Sequence, residues 1–168
     1  MQARRPIIGV MGPGETASAQ VQQTAFELGQ QIARHNWVLL TGGRNAGVMD
    51  AASRGAALAG GLTLGILPGT EAAGLSDYVS VPILTGLGNA RNGLNVLTSQ
   101  VVVACGLGPG TVAEVALALK AGRPVVLLQM SELAVQFFQS LTPNAVTAAE
   151  TVEAAIAQIQ SALGSLSD

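Results

Sequence analysis

Val101-Val102-Val103-Ala104-Cys105-Gly106-Leu107-Gly108-Pro109-Gly110-Thr111-Val112-Ala113-Glu114 is the stretch that decides the fold. Val101–Ala104 is an unbroken apolar run, three of its four residues β-branched, the pattern of a strand buried on both faces. The Gly/Pro loop Gly106–Gly110 ends it, and Thr111–Ala121 reads as a helix. The same unit recurs on either side. Upstream, the strand Ile7–Val10 leads into Gly12-Pro13-Gly14 and a helix over Ser18–Arg34, with Val21, Ala25, Leu28 and Ile32 on one face. The strand Trp37–Thr41 leads into Gly42-Gly43 and a small-residue helix, Val48–Leu58. Leu62–Leu67 is a third strand, followed by a Gly/Ala/Pro-rich loop, Pro68–Asp77. Tyr78–Leu84 holds a short strand and Asn89–Thr98 a helix. Downstream come the strand Pro124–Leu128 and the helix Ser131–Leu141. Thr147 and Glu150 then read as a capping box for a last helix, Ala148–Leu163. Val152, Ile156, Ile159 and Leu163 form its core face and Gly164 its end. Strands alternating with helices predict an α/β three-layer sandwich: a mostly parallel central sheet with helices on both faces.

The 168 residues suit one domain spanning 1–168, with no repeat and no linker. Hydrophobic residues are 49% and charged residues 11% of the chain, and mean hydropathy is +0.45. That balance excludes disorder and predicts apolar surface covered by another subunit. Eight basic and ten acidic residues leave a formal charge of −2, which offers no basic face to nucleic acid. Cys105 and His35 are each the sole residue of their type. They exclude an internal disulfide and a His/Cys metal site. Ile7–Met11 is too short for a signal-peptide core, and no apolar run approaches membrane-span length. The expectation is a cytoplasmic protein with no membrane contact. Lys120, the only lysine, precedes a Gly-Arg-Pro turn without activating neighbours, so a Schiff-base cofactor such as PLP is not expected.

Three glycine loops follow predicted strands and so share one edge of the predicted sheet: Gly12-Pro13-Gly14; Gly42-Gly43-Arg44-Asn45-Ala46-Gly47-Val48-Met49; and Gly106 to Glu114. In parallel sheets, ligands bind beyond the carboxyl ends of the strands. Glycine permits close backbone approach, and a helix N-terminus offers free N–H groups and partial positive charge. The loops therefore predict a site for an anionic, phosphate-bearing small molecule. No Gly-Lys-Ser/Thr follows any of them, and none is a Gly-x-Gly-x-x-Gly, so neither a P-loop nor an NAD site is expected. The candidate binding residues are Gly12, Pro13, Gly42, Gly43, Arg44, Gly47, Met49, Arg91, Asn92, Gly108, Pro109, Gly110, Thr111 and Glu114. Arg91 stands at a predicted helix start, where a cation gains nothing from the helix dipole; a bound anion or plain solvation accounts for it. Glu114 has two readings as well: a capping-box partner of Thr111, or a carboxylate on the pocket wall.

The set Thr41-Gly42-Gly43…Gly47-Val48-Met49-Asp50, Arg91, and Gly108-Pro109-Gly110-Thr111…Glu114 resembles the LOG ("lysine decarboxylase-like") superfamily from about Ile7 to Leu128. Within it, Met11-Gly12-Pro13-Gly14 and Gly106-Leu107-Gly108-Pro109-Gly110-Thr111 look most like the molybdenum cofactor carrier branch. The resemblance implies a Rossmann-like fold, a homo-oligomer (a tetramer, with a dimer as the alternative) and a non-enzymatic role. That role is binding, protecting and delivering molybdenum cofactor (molybdopterin), with a molybdoenzyme as the acceptor. The superfamily's enzymes are cytokinin-activating phosphoribohydrolases, which use a Pro-Gly-Gly-x-Gly-Thr-x-x-Glu motif and an upstream arginine. Gly108, Gly110, Thr111 and Glu114 match that motif, while Gly106 and Leu107 replace its opening Pro-Gly. Asn89-Ala90-Arg91-Asn92 stands where those enzymes carry Met-x-x-Arg-Lys. The alternative implied is thus nucleoside 5′-monophosphate hydrolysis with Arg91 and Glu114 as catalytic residues, or a nucleotide sensor without turnover.

The remaining marked residues have structural readings. His35 is expected at a helix C-terminus, Cys105 as a buried thiol, Met49 as packing, and Arg4 and Arg5 as a solvated end. Phe137 and Phe138, with Leu133 and Leu141, pack a late helix on the sheet or on a partner.

Overall fold

The computed structural model describes residues 4–166. Its strands are β1 (Ile7–Met11), β2 (Val38–Thr41), β3 (Thr63–Leu67), β4 (Val81–Leu84), β5 (Val101–Cys105), β6 (Val125–Leu128) and β7 (Val146–Ala149). They form one seven-stranded sheet in the order β4-β3-β2-β1-β5-β6-β7. Every pairing is parallel. The helices are α1 (Ala19–Arg34), α2 (Gly47–Leu58), α3 (Asn92–Thr98), α4 (Pro109–Lys120), α5 (Glu132–Leu141) and α6 (Val152–Ser165).

The alternation of side chains along β5 sorts the core into two layers. Val101, Val103 and Cys105 face α1, α2 and α6, packing with Leu28, Ile32, Ala52 and Ile159. Val102 and Ala104 face α3, α4 and α5, packing with Val96, Val115, Ala118 and Phe138. All five β5 residues are buried, as a central parallel strand requires. Truncating a wholly buried side chain such as Leu28 would cost about 2–5 kcal/mol. Small residues set the α1–α2 distance: a Cβ on Gly29 would run into the Ala52 carbonyl, and one on Gly55 into that of Phe26.

The chain winds outward from β1 to β4, then returns to place β5 on the other side of β1. This reversal is the switch point, and the loops after β1 and β5 flank it.

Five local expectations are corrected. The stretch Val146–Ala149 is strand β7, paired with β6, and not the start of a helix. The last helix begins at Val152, with Thr151 Oγ1 as its cap, so the Thr147/Glu150 spacing is not a capping box. A short, alanine-rich edge strand has little intrinsic β signal, and its ladder with β6 decides. Gly164 lies inside α6, which runs to Ser165. The third loop stops earlier than expected: Pro109 and Gly110 are already helical, with Pro109 in the first turn and Gly108 as the N-cap. Proline's fixed φ suits that position. The segment before α3 is a 3-10 turn, Gly88–Arg91, rather than α-helix.

His35 caps α1, with Nδ1 2.8 Å from the Gln31 carbonyl oxygen and its ring stacked on Trp37. Arg5 is less free than a solvated end implies: it donates to the Asn36 and Trp37 carbonyls at 2.8 and 3.1 Å. Among the described residues, no helix is long and apolar enough to cross a membrane.

Candidate functional site

The carboxyl ends of β1, β2 and β5 open on a cleft of about 200 Å³. Parallel pairing puts the three glycine loops on one rim, and each contributes wall. Gly12 and Pro13 come from the first loop; Gly42, Arg44 and Met49 from the second; Gly108, Pro109, Gly110, Thr111 and Glu114 from the third. Arg91 and Asn92 reach in from the junction between the 3-10 turn and α3. Gly43 and Gly47 stand behind the wall. A Cβ on Gly47 would strike the Gly14 and Pro13 carbonyls, and its φ of +51° favours glycine; one on Gly43 would press on Leu67 and Gly65. Gly43 and Gly47 let the second loop pack against the first loop and β3.

The N–H groups divide between two uses. In the second loop, Gly43 donates to Thr41 Oγ1 at 3.1 Å, Asn45 to the Gly74 carbonyl at 2.8 Å and Val48 to the Pro13 carbonyl at 3.1 Å. Those donors hold the loop together. In the third loop, Gly110 and Thr111 occupy the first turn of α4, ahead of Val112, whose N–H donates to the Gly108 carbonyl at 2.9 Å, and their N–H groups carry the helix's partial positive charge.

Arg91 is the buried cation of the cleft, its side chain only 11% exposed. Nη1 lies 3.5 Å from Glu114 Oε1 and also donates to Asn92 Oδ1. Nε is buried without a partner. Donor capacity on the guanidinium is thus unsatisfied, and arginine N–H groups are donors suited to phosphate or carboxylate. Burial lowers the Arg91 pKa, the Glu114 carboxylate opposes that shift, and the charge of Arg44 adds to it. An arginine stays protonated regardless. The cleft therefore contains a poorly hydrated positive charge at its inner end, with Glu114 as the carboxylate beside it.

Glu114 projects from α4 toward α3 and does not return to the helix start. Its Oε1 accepts from Asn95 Nδ2 at 2.8 Å, in addition to the Arg91 contact. This overturns the capping-box reading: Gly108 is the N-cap, no side chain caps α4, and Thr111 Oγ1 is buried without a partner. A buried hydroxyl left unpaired costs about 1–3 kcal/mol. Burial raises the Glu114 pKa, against the lowering effects of Asn95 and Arg91.

At the mouth, Arg44 and Glu15 are joined at 2.6 Å, both largely in solvent. The pair ties the second loop to the first. Cys105 lies away from the cleft in the core under α1, 3.7 Å from the Val21 carbonyl, and burial pushes its thiol up to about 12. Lys120 is the exposed last residue of α4. Among the described residues, no three His, Cys, Asp or Glu side chains gather to hold a metal ion.

Wall and support residues that escaped the sequence reading include Glu15, Thr16, Asn89 and Asn95. The first three line the cleft, and Asn95 supports Glu114 from a position with no exposure at all. The one signal for Asn95 was an amide between Leu94 and Val96 in an otherwise apolar helical stretch.

The fold is that of a Rossmann-like protein with a cleft at the sheet's switch point. The chain belongs to the SLOG cluster4 family, whose model matches residues 5–156, in agreement with the LOG-superfamily resemblance of the motifs. It is similar in structure to the molybdenum cofactor binding protein of the phototrophic bacterium Rippkaea orientalis, at 54% identity and a TM-score of 0.93 over 95% of this chain and 98% of the other. It is equally similar to the molybdenum cofactor carrier protein of Chlamydomonas reinhardtii, at 54% identity and a TM-score of 0.92 over 96% and 99% of the two chains. An uncharacterised protein of Archaeoglobus fulgidus is 38% identical over 73% of this chain and 79% of its own length.

Proposed function

We propose that residues 1–168 act as one unit that binds molybdenum cofactor by its phosphate and pterin, shields it, and delivers it to a molybdoenzyme in the cytoplasm. The observation that carries this reading is buried Arg91, with an unpartnered Nε, in the wall of a cleft whose other donors are the first N–H groups of α4. A phosphate meets both needs: it compensates the cation and accepts from helix-terminal amides. Arg44 adds charge at the mouth. Thr111 Oγ1 and the second Glu114 oxygen suit the polar edge of a pterin. Since no metal-ligand cluster is available among the described residues, the protein grips the organic part and leaves the metal to the cofactor's own sulfurs. The 54% identity to proteins named for this cofactor supports the same ligand.

The test is anaerobic incubation with cofactor released from a molybdoenzyme, then gel filtration and molybdenum analysis. Near-equimolar retention is expected, reduced about tenfold or more in Arg91→Ala. No retention by the natural chain overturns the proposal.

A second reading rests on the Arg91–Glu114 contact at 3.5 Å in the same cleft. Such a pair also suits a phosphoribohydrolase, with Arg91 anchoring phosphate and Glu114 stabilising a ribosyl cation. Release of ribose 5-phosphate from AMP, abolished by Glu114→Gln, would favour it; AMP binding without release would favour a sensor.

Homo-oligomer formation, a tetramer or a dimer, belongs to the proposal. Leu133, Phe137 and Leu141 repeat every fourth residue on α5 and are all exposed, while Phe138 is buried against the sheet. Native mass spectrometry counts the subunits; a monomer only would remove this part.

A further inference from the structure

We propose that Asn95 is the positioning residue of the cleft: its side-chain amide ties one oxygen of Glu114 to the protein, so that the other is presented to the ligand as a single, fixed acceptor. The inference rests on the proposed ligand site and names the group that orients it.

Three observations converge on this role. Asn95 is wholly buried on α3, where an amide has no solubility function. Its Nδ2 donates to Glu114 Oε1 at 2.8 Å, across the α3–α4 contact and from outside the helix that carries Glu114. The Arg91 contact falls on that same oxygen, so both protein partners take Oε1 and leave Oε2 for the cleft that Glu114 lines. The Asn95 backbone carbonyl accepts from Ser99 Oγ at 2.8 Å, while the side-chain Oδ1 is buried without a partner. An amide donor in that place favours the ionised form of the carboxylate and fixes which oxygen turns inward. Burial works the other way. The groups facing Glu114 are Asn95 from α3 and Arg91 from the end of the 3-10 turn, with Thr111 one turn back on its own helix. Arg44 is the next charge out, already paired to Glu15. Without Asn95, Arg91 alone opposes protonation of Glu114, and the carboxyl is free to rotate.

The experiment is a carbon-13 NMR titration of the Glu114 carboxyl, assigned by its loss in Glu114→Gln. In the natural chain, the Asn95 side-chain amide protons should titrate with the Glu114 midpoint, which needs no variant to fold. Asn95→Asp keeps the shape and replaces donor by acceptor. Asn95→Leu removes the donor without adding charge. Both should raise the Glu114 midpoint by about one pH unit or more. Both should also move the lower pH limit of cofactor retention upward in step, which a merely structural asparagine would not do. An amide that does not follow Glu114, or a midpoint unmoved in the folded variants, overturns the proposal. If the natural chain retains no cofactor yet the midpoint moves as stated, the ligand assignment fails and the role of Asn95 in orienting Glu114 stands.

Discussion

Arg91 lies across Gly42: a Cβ built on Gly42 would stand 2.7 Å from Arg91 Nη2 and 2.8 Å from Met49 Sδ. The glycine of the second loop is therefore a seat for the guanidinium of another segment. Both neighbours are the mobile ends of long side chains, so an added methyl group displaces them and leaves the backbone in place. Gly42→Ala should keep the fold with a small loss of melting temperature, and weaken cofactor retention about tenfold by moving Arg91 off the anion. Calorimetry together with a thermal melt checks both halves. Unchanged affinity would mean that the seat does not matter to binding.

Gly110 is the opposite case. A Cβ there meets no protein atom within 4 Å, although the residue lines the cleft and lies in the first turn of α4. Gly110→Ala should therefore stabilise the helix, by up to about 1 kcal/mol, while its methyl group intrudes on the ligand's approach to the helix N-terminus. The expected result is a higher melting temperature with affinity about tenfold lower. A variant that melts higher and binds normally would show that the ligand does not approach α4 closely.

These two glycines also show what was legible in the chain and what was not. The β5–α4 unit could be read because five consecutive apolar residues followed by Gly, Pro and Gly admit few structures. The loops could be placed on one rim because parallel strands put their carboxyl ends together. β7 was hidden because Ala145-Val146-Thr147-Ala148-Ala149 has little strand propensity and draws its structure from pairing with β6. The Thr111/Glu114 spacing left two readings open, and the capping box fails because Pro109 opens α4 early and makes Gly108 the cap. The Asn95–Glu114 and Glu15–Arg44 contacts join residues 19 and 29 positions apart. Local pattern has no access to such pairs; they follow only from the way α4 sits against α3 and the first loop against the second.

The Glu114 carboxyl should leave a signature in stability as well as in binding. Its pKa is raised in the folded state by burial, so the folded chain holds that proton more tightly than the unfolded chain does. The linked stability is fully present below the unfolded value near 4.5 and is lost as pH rises through the folded pKa. Glu114→Gln removes this titration. The melting temperature of Glu114→Gln relative to the natural chain should therefore climb as pH is raised from about 4.5 and level off above the folded pKa. Its absolute sign also contains the loss of Arg91's partner, so the slope is the test. A flat difference across that range would show that Glu114 is not held in a desolvated setting.

Glu15 makes the one prediction in which removing a charge improves binding. Its carboxylate holds Arg44 at 2.6 Å across the mouth, and its pKa is lowered by its backbone hydrogen bond and by Arg44. A ligand phosphate that uses Arg44 must first compete with that internal anion. Both groups are largely solvated, so the competition is weak, as exposed ion pairs generally are. Glu15→Gln should raise cofactor or AMP affinity by a few-fold at low salt, and the gain should shrink as ionic strength shortens the screening length. Arg44→Ala should lower affinity, and in that background Glu15→Gln should have much less effect, because the charge it releases is gone. Equal effects of Glu15→Gln with and without Arg44 would show that Glu15 acts on the ligand directly and not through Arg44.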